Sequence, residues 1–343
     1  MAIEVRTSGL STTVQDLGRP GYYHLGIPLS GAMDRFALRM ANLLVGNDEG
    51  AAALEAVFTG PELEFTTKAL VAITGAELPP RVNGEIRQTW TSFSVHPGDV
   101  LSFDILQHGA RAYIAISGGI EVPVVLGSRS TYTLGALGGH GGRKLEGGDR
   151  LAIGSVCRPI RKGFCLPSAL RSQLDNSAEL RVLPGLYWHR LTEAAGLRFF
   201  EDSWQVASES DRVGYRFKGG AALDFVPRSP PFGAGSDPSN IVDACYPYGS
   251  IQVPGGTEPI VLHRDAVSGG GYCMVGTVIS ADMDRIGQLQ PHARVKFVNV
   301  DMEQALAARH ARCSLLQQAR ERLLGQWQSS SKDDPTMSKQ ERP

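Results

Sequence analysis

Apolar positions recur at two different spacings along the chain. Met33, Phe36, Ala37, Met40, Leu43 and Leu44 fall at three- and four-residue steps, predicting an amphipathic helix that begins near residues 30–34. Gly46-Asn47 supplies its left-handed stop. From residue 54 onward the apolar runs shorten. Segments 69–74, 91–95, 100–103 and 111–117 are rich in Val, Ile and Phe and are parted by turns such as Pro97-Gly98-Asp99. Short strands at regular spacing predict a closed barrel or sandwich rather than a βαβ sheet. The pattern resumes after residue 178, with strands expected at 179–184, 250–253, 259–263, 275–280 and 294–300 and a helix near 191–200. Asp301 and Gln304 then stand at capping-box spacing ahead of a helix to about residue 324, with Met302, Leu306, Cys313, Leu316 and Leu323 on one side. The expected organisation is a β domain over 1–155, a linker over 156–178, a second β domain over 179–300, a helix over 301–327 and a polar, disordered tail over 328–343.

Composition narrows the function. A chain of 343 residues suits two compact domains. Its 34 Lys+Arg balance 35 Asp+Glu, which excludes the basic face of a nucleic-acid protein and the polybasic patch of a membrane binder. No apolar run approaches the ~18 residues of a bilayer span. The start, Met1-Ala2-Ile3-Glu4-Val5-Arg6, lacks a secretory pattern. Five scattered cysteines without a CxxC pair point to a reduced, cytoplasmic protein. The eight histidines stand singly, so no metal is expected. GxxxxGK[ST], HExxH and GxSxG are absent, as is a Met-Lys-Met segment that accepts biotin.

Four segments carry possible chemistry. Asp16-Leu17-Gly18-Arg19-Pro20-Gly21 offers Arg19 to an anionic or carbonyl oxygen, although a loop staple to Asp16 explains it equally. Asp34, farther on, reads as a helix-start carboxylate. Gly127-Ser128-Arg129-Ser130-Thr131-Tyr132 leads into Gly138-Gly139-His140-Gly141-Gly142-Arg143, where successive glycines can turn N–H groups onto an oxyanion. Glycine turns at barrel corners are the plain alternative. In Ser210-Asp211-Arg212-Val213-Gly214-Tyr215-Arg216, strand alternation puts Arg212 and Arg216 on one face, as a carboxylate clamp or a solvated edge. Asn240, Asp243, Tyr246, Gln252 and Tyr272 lie near glycines and suit an amide or urea edge. Gln252 is the most pointed, because an amide inside an apolar strand must find a partner.

Taken in order, Val14-Gln15-Asp16-Leu17-Gly18-Arg19-Pro20-Gly21, Ser30-Gly31-Ala32-Met33-Asp34, Ala41-Asn42-Leu43-Leu44-Val45-Gly46-Asn47, the 127–132 and 210–216 segments and Ile251-Gln252-Val253-Pro254 resemble one family over about residues 3–300. It comprises the C-type component of 5-oxoprolinase, the antagonist of the sporulation-kinase inhibitor Kip, and the allophanate hydrolase subunit 2 proteins. It is also similar to part of the carboxyltransferase domain of urea carboxylase. The resemblance implies a mostly β protein of two cyclophilin-like β-barrel domains with a few short helices. It implies a companion, the B-type component of 5-oxoprolinase, a lactam-opening A-type component, and ATP shared with the companion. In the carboxylase branch it implies biotin on another chain and a urea- or guanidine-type substrate. A third branch implies a regulatory binding protein. Segments 238–246 and 268–272 stand closer to urea carboxylase.

Both chemistries act on an amide and need fixed donors around its oxygen or a transferring phosphoryl group. On that ground Arg129, Arg143, Arg212 and Gln252 are the expected catalytic residues. Arg19, Ser128, Ser130, Tyr132, Arg216, Asn240, Asp243 and Tyr272 are the expected substrate contacts, and Gly138, Gly139, Gly141 and Gly142 the expected anion loop.

Overall fold

The computed structural model describes residues 2–158 and 162–332, with side chains described to residue 327. The chain forms two compact units. One takes Met1–Leu17, Arg35–Gln173 and the chain from Cys313; the other takes Gly18–Asp34 and Leu174–Arg312.

In the first unit the strands form two sheets. The seven-stranded sheet runs Ile120–Glu121, Arg150–Ile153, Ala2–Thr7, Glu62–Phe65, Val100–Phe103, Pro80–Val82, Glu85–Ile86. The five-stranded sheet runs Ser11–Gln15, Ala53–Val57, His108–Ile116, Ala69–Glu77, Phe93–Val95. Ile3, Val5, Leu63, Phe65 and Leu101 of one sheet share a core with Val14, Leu54, Val71, Ile73 and Ile114 of the other. Strand 108–116 is buried on both sides from Gly109 onward. Ala112, Ile114 and Ile116 face that core, so alternation turns Arg111, Tyr113 and Ala115 the opposite way, toward helix α1 (Arg35–Leu44). Beneath α1 the Tyr113 hydroxyl donates to buried Glu55 at 2.7 Å, and Thr74 Oγ1 donates to the Ala37 carbonyl at 2.7 Å. The helix starts later than its apolar spacing predicts, because Ser30 (φ 50°) and Gly31 (φ 86°) hold left-handed conformations that no right-handed helix contains.

The second unit contains a closed barrel. Its strands are, in order, Ser177–Pro184, Met274–Val278, Ser250–Gln252, Ile260–Leu262, Gly214–Lys218, Trp204–Val206 and Arg294–Asn299. Arg294–Asn299 closes the ring by running parallel to Ser177–Pro184. Closure removes both sheet edges. Phe297 stacks on Phe199 of helix α2 (Glu193–Glu201) at 4.6 Å, with Trp204 and Phe217 against Phe297. Thr192 caps α2 by accepting from the Ala195 N–H. Asn240–Cys245 and Gly269–Tyr272 pair separately as a two-stranded ribbon. A four-residue helix, α3, follows at Met283–Ile286.

The last helix, α4 (Met302–Lys332), starts with the reciprocal capping box. Asp301 N–H donates to Gln304 Oε1 at 3.0 Å, and Gln304 N–H donates to Asp301 Oδ1 at 2.8 Å. Its buried face meets the predicted stripe only in part: Leu323 is buried and Leu316 half-buried, but Met302, Leu306 and Cys313 are exposed, and Ala305, Ala319 and Trp327 are buried instead. Within the first unit α4 is tied to its own chain. Arg320 and Arg39 both pair with Glu49, the Gln326 amide exchanges two hydrogen bonds with the Cys165 backbone, and Arg158 lies over the Trp327 ring at 5.2 Å. The helix continues into the span expected to be disordered; residues 333–343 of that expected tail lie outside the described residues.

Candidate functional site

In the first unit the 127–132 loop closes over Asp16. The Asp16 carboxylate accepts from Ser128 Oγ at 2.7 Å, Ser130 Oγ at 2.5 Å and the Arg129 N–H at 2.6 Å. In return the Asp16 N–H donates to Ser130 Oγ, and the Ser130 N–H donates to Ser128 Oγ, both at 3.0 Å. Thr131 Oγ1 and Gln15 Nε2 add two further ties, to the Val14 and Thr131 carbonyls. Ser128 and Ser130 are buried, so these predicted substrate contacts are already spent on an internal carboxylate. Half-buried Arg129 donates from Nε to the Val122 carbonyl at 2.9 Å. The Tyr132 ring lies against Gly135.

The glycine loop folds back on itself. Gly142 N–H donates to the Gly138 carbonyl at 2.8 Å. A side chain at Gly139 would strike Thr131 Oγ1 at 1.9 Å, so close packing accounts for that glycine. Arg143 makes two bonds to Asp149, at 2.7 and 2.8 Å, with His140 at 3.3 Å from the same carboxylate. The Arg143 guanidinium therefore holds the Asp149 carboxyl well below the usual carboxylate range. An arginine so engaged is a turn staple, and the expectation that it meets the reacting oxygen is not supported by its position.

In the second unit Arg212 and Arg216 do not share a face. Residues 211–213 form a turn in which Asp211 Oδ1 accepts from the Val213 and Gly214 N–H groups; the strand starts only at Gly214. Arg216 is exposed. Arg212 turns to buried Asp265, with Nε to Oδ2 at 2.7 Å and NH2 to Oδ1 at 3.2 Å, and its NH2 also donates to the Gly31 carbonyl at 2.8 Å. The 18–34 loop is pinned here, as the Ser30 N–H donates to the Arg264 carbonyl and the Arg19 N–H to the Leu29 carbonyl. Gly18 (φ 95°) has to be glycine, because a Cβ would meet the Leu29 and Ser30 carbonyls at 2.6 and 2.7 Å. Arg19 is fully buried. Asp34 accepts from Gln288 Nε2 at 2.9 Å.

The fourth segment does assemble. Buried Gln252 lies close enough to the Tyr246 phenol to lower its pKa. That phenol donates to the Tyr272 carbonyl and accepts from the Tyr272 N–H, both at 2.8 Å. Asn240 is the register partner of Tyr272 across the ribbon, and Asp243 lies within electrostatic reach of Tyr246. Burial pushes the Tyr246 phenol up, against the lowering effect of its hydrogen bonds. Beside it, Cys273 is buried and its thiol is also pushed up by burial, with Arg190 and Arg228 as the nearby cations. An amide, a phenol and a ribbon backbone thus converge, with Asn240 half-buried and Asp243 and Tyr272 exposed at the edge. Such a set can read the donor and acceptor edges of an amide or ureido group.

The sequence pattern did not single out Tyr23, Tyr248 or Arg264, which lie near Asp265. The available signal was His263-Arg264-Asp265, three ionisable residues directly after the apolar strand Ile260–Leu262, all of them buried. Among the described residues no cluster of His, Cys, Asp and Glu is arranged to hold a metal ion, and no helix is long and apolar enough to cross a membrane.

One unit built as a closed β-barrel and one built from two β-sheets, with polar sites on loops, make the architecture of the carboxyltransferase domain, subdomains A and B. The chain belongs to that family, whose pattern matches residues 25–299. It is similar to the C-type component of 5-oxoprolinase from Escherichia coli (strain K12), at 37% identity over 90% of this chain and 94% of that protein. It is also similar to urea amidolyase of Saccharomyces cerevisiae, at 35% identity over 88% of this chain but only 17% of that protein. The crystal structure of Kluyveromyces lactis urea carboxylase superposes with a TM-score of 0.87 at 33% identity, covering 93% of this chain and 29% of that one. The chain therefore spans only a minor part of the length of these yeast proteins.

Proposed function

We propose that the protein is one component of an ATP-dependent complex that hydrolyses a 5-oxoproline-type lactam, and that it activates the amide carbonyl together with a companion of the B type. The observation that carries this reading is the near end-to-end match, 94% of the length, to the C-type component of 5-oxoprolinase. An A-type component would complete ring opening. A lactam is a poor electrophile because its nitrogen donates into the carbonyl, so polarising that oxygen is the task. Gln252, beside the Tyr246 phenol, is the group for the amide edge; Asn240, Asp243 and Tyr272 border it. In the first unit Arg129, tied through Nε to the Val122 carbonyl, stays a candidate cation whose part is tested by Arg129→Ala.

Arg143, beside the 138–143 glycine loop, is committed to Asp149, so this reading does not count on it for a phosphate. The nucleotide is assigned to the companion. Five free cysteines accord with a reducing, cytoplasmic setting. The test is to copurify the chain with its companions and measure phosphate release. Release should require both the lactam and the B-type companion, and its absence in the complete assembly overturns the reading.

A second reading, carboxyl transfer from biotin on another chain to a urea-type nitrogen, is favoured by the TM-score of 0.87 to urea carboxylase. It predicts bicarbonate-dependent carboxylation of urea or guanidine that needs a biotin-bearing protein.

A further inference from the structure

Arg264 stands out in the second unit because its charge is buried without an answering anion among the described residues. It is 3% exposed, its guanidinium lies 4.4 Å from the centre of the Tyr248 ring, and its Nε is buried with no hydrogen-bond partner among the described residues. The adjacent carboxylate does not neutralise it. Both Asp265 oxygens are taken by Arg212, through Nε and NH2. Arg264 therefore keeps its positive charge in a nearly solvent-free position. Stacking on a tyrosine offsets part of the desolvation cost but leaves the Nε–H donor unanswered. The half-buried Tyr23 phenol lies within electrostatic reach of Arg264 and Asp265, on the 18–34 loop that the Ser30 and Gly31 backbone pins to this same group.

We propose that Arg264 is a binding residue for the carboxylate of a small ligand, with Tyr248 supporting the guanidinium plane and Tyr23 bordering the site. A planar carboxylate matches the guanidinium fork in shape and supplies the missing charge. The lactam acid 5-oxoproline carries such a group, and naming it as the ligand rests on the lactam reading above. The carboxylate site itself does not: carboxylated biotin presents the same chemistry.

The test is calorimetric or ligand-detected NMR titration of the full chain with three probes: 5-oxoproline, 2-pyrrolidinone (the lactam without the carboxylate) and cyclopentanecarboxylate (the carboxylate without the lactam). Wild-type protein should bind both acids at least about tenfold more tightly than 2-pyrrolidinone, and Arg264→Gln should abolish that preference. Equal binding of all three probes, or a preference that survives Arg264→Gln, overturns the proposal. If cyclopentanecarboxylate binds as tightly as 5-oxoproline, the site stands and the lactam reading loses its support. Should Arg264→Gln fail to fold, a wild-type crystal soaked in 5-oxoproline decides. The carboxylate must lie within hydrogen-bond distance of Arg264, and density placing it elsewhere refutes the assignment.

Discussion

Replacing Asp16 by alanine removes the centre of the 127–132 loop. Three donors, Ser128 Oγ, Ser130 Oγ and the Arg129 N–H, lose one buried carboxylate at once. A hydrogen bond to a charged group contributes about 1.5–3 kcal/mol, and donors left unsatisfied in a buried place cost about 1–3 kcal/mol each. These contributions share one carboxylate and do not add, so about 3–5 kcal/mol is the expected loss for the unit. The assay is amide hydrogen exchange across residues 120–135 with urea denaturation alongside. Each 1.4 kcal/mol is a factor of ten, so exchange in the loop should quicken by at least ~100-fold. A double-mutant cycle sharpens the reasoning. Ser130→Ala should cost about 1.5–3 kcal/mol in the wild type and clearly less in the Asp16→Ala background, where only the backbone N–H of residue 16 still bonds the hydroxyl. Equal cost in both backgrounds would refute the clasp. So would an Asp16→Ala protein that keeps its loop protection while losing all activity, for Asp16 would then act on substrate.

Glu49→Ala should release the second half of α4, because Arg39 and Arg320 share that carboxylate; faster proteolysis and exchange within residues 313–327, with a loss of about 1–3 kcal/mol, is the expected readout. Acid should act through Asp149, whose folded-state carboxyl is held low by Arg143: its contribution is complete above about pH 4, the unfolded carboxylate range, and is lost as pH falls below that. Urea midpoints from about pH 7 to 3 should show the loss in the wild type and a shallower one in Asp149→Asn. Gln252→Leu should lower kcat/KM of the reconstituted assembly by about 10–100-fold with little change in melting temperature, and an unchanged kcat/KM would remove Gln252 from the site. Arg129→Ala should likewise cost activity without unfolding; a collapse in thermal stability instead would assign it to the loop's architecture.

Much of the fold was legible because its causes are local. Short apolar runs broken by Gly and Pro turns placed most of the principal strands, and three- and four-residue spacing placed α1. The Asp301–Gln304 capping box was readable outright, since both partners lie within one turn. Start and face were less secure. Positive φ at Ser30 and Gly31 delays α1, and the face of α4 that packs was chosen by neighbours far away in the chain, such as Glu49 and Cys165.

The sequence by itself determined which side chains have suitable chemistry, and only the tertiary structure decided which remain available to a ligand. Asp16 and Ser130 are 114 residues apart, and Arg212 and Asp265 are 53 apart, yet each pair is mutually satisfied. Residue type specifies how many hydrogen bonds a group can make, but long-range folding determines who receives them. For the same reason only the fold shows that Gln252, Tyr246 and Tyr272 lie together, and the unanswered charge of Arg264 emerges only once Asp265 is seen to be taken by Arg212.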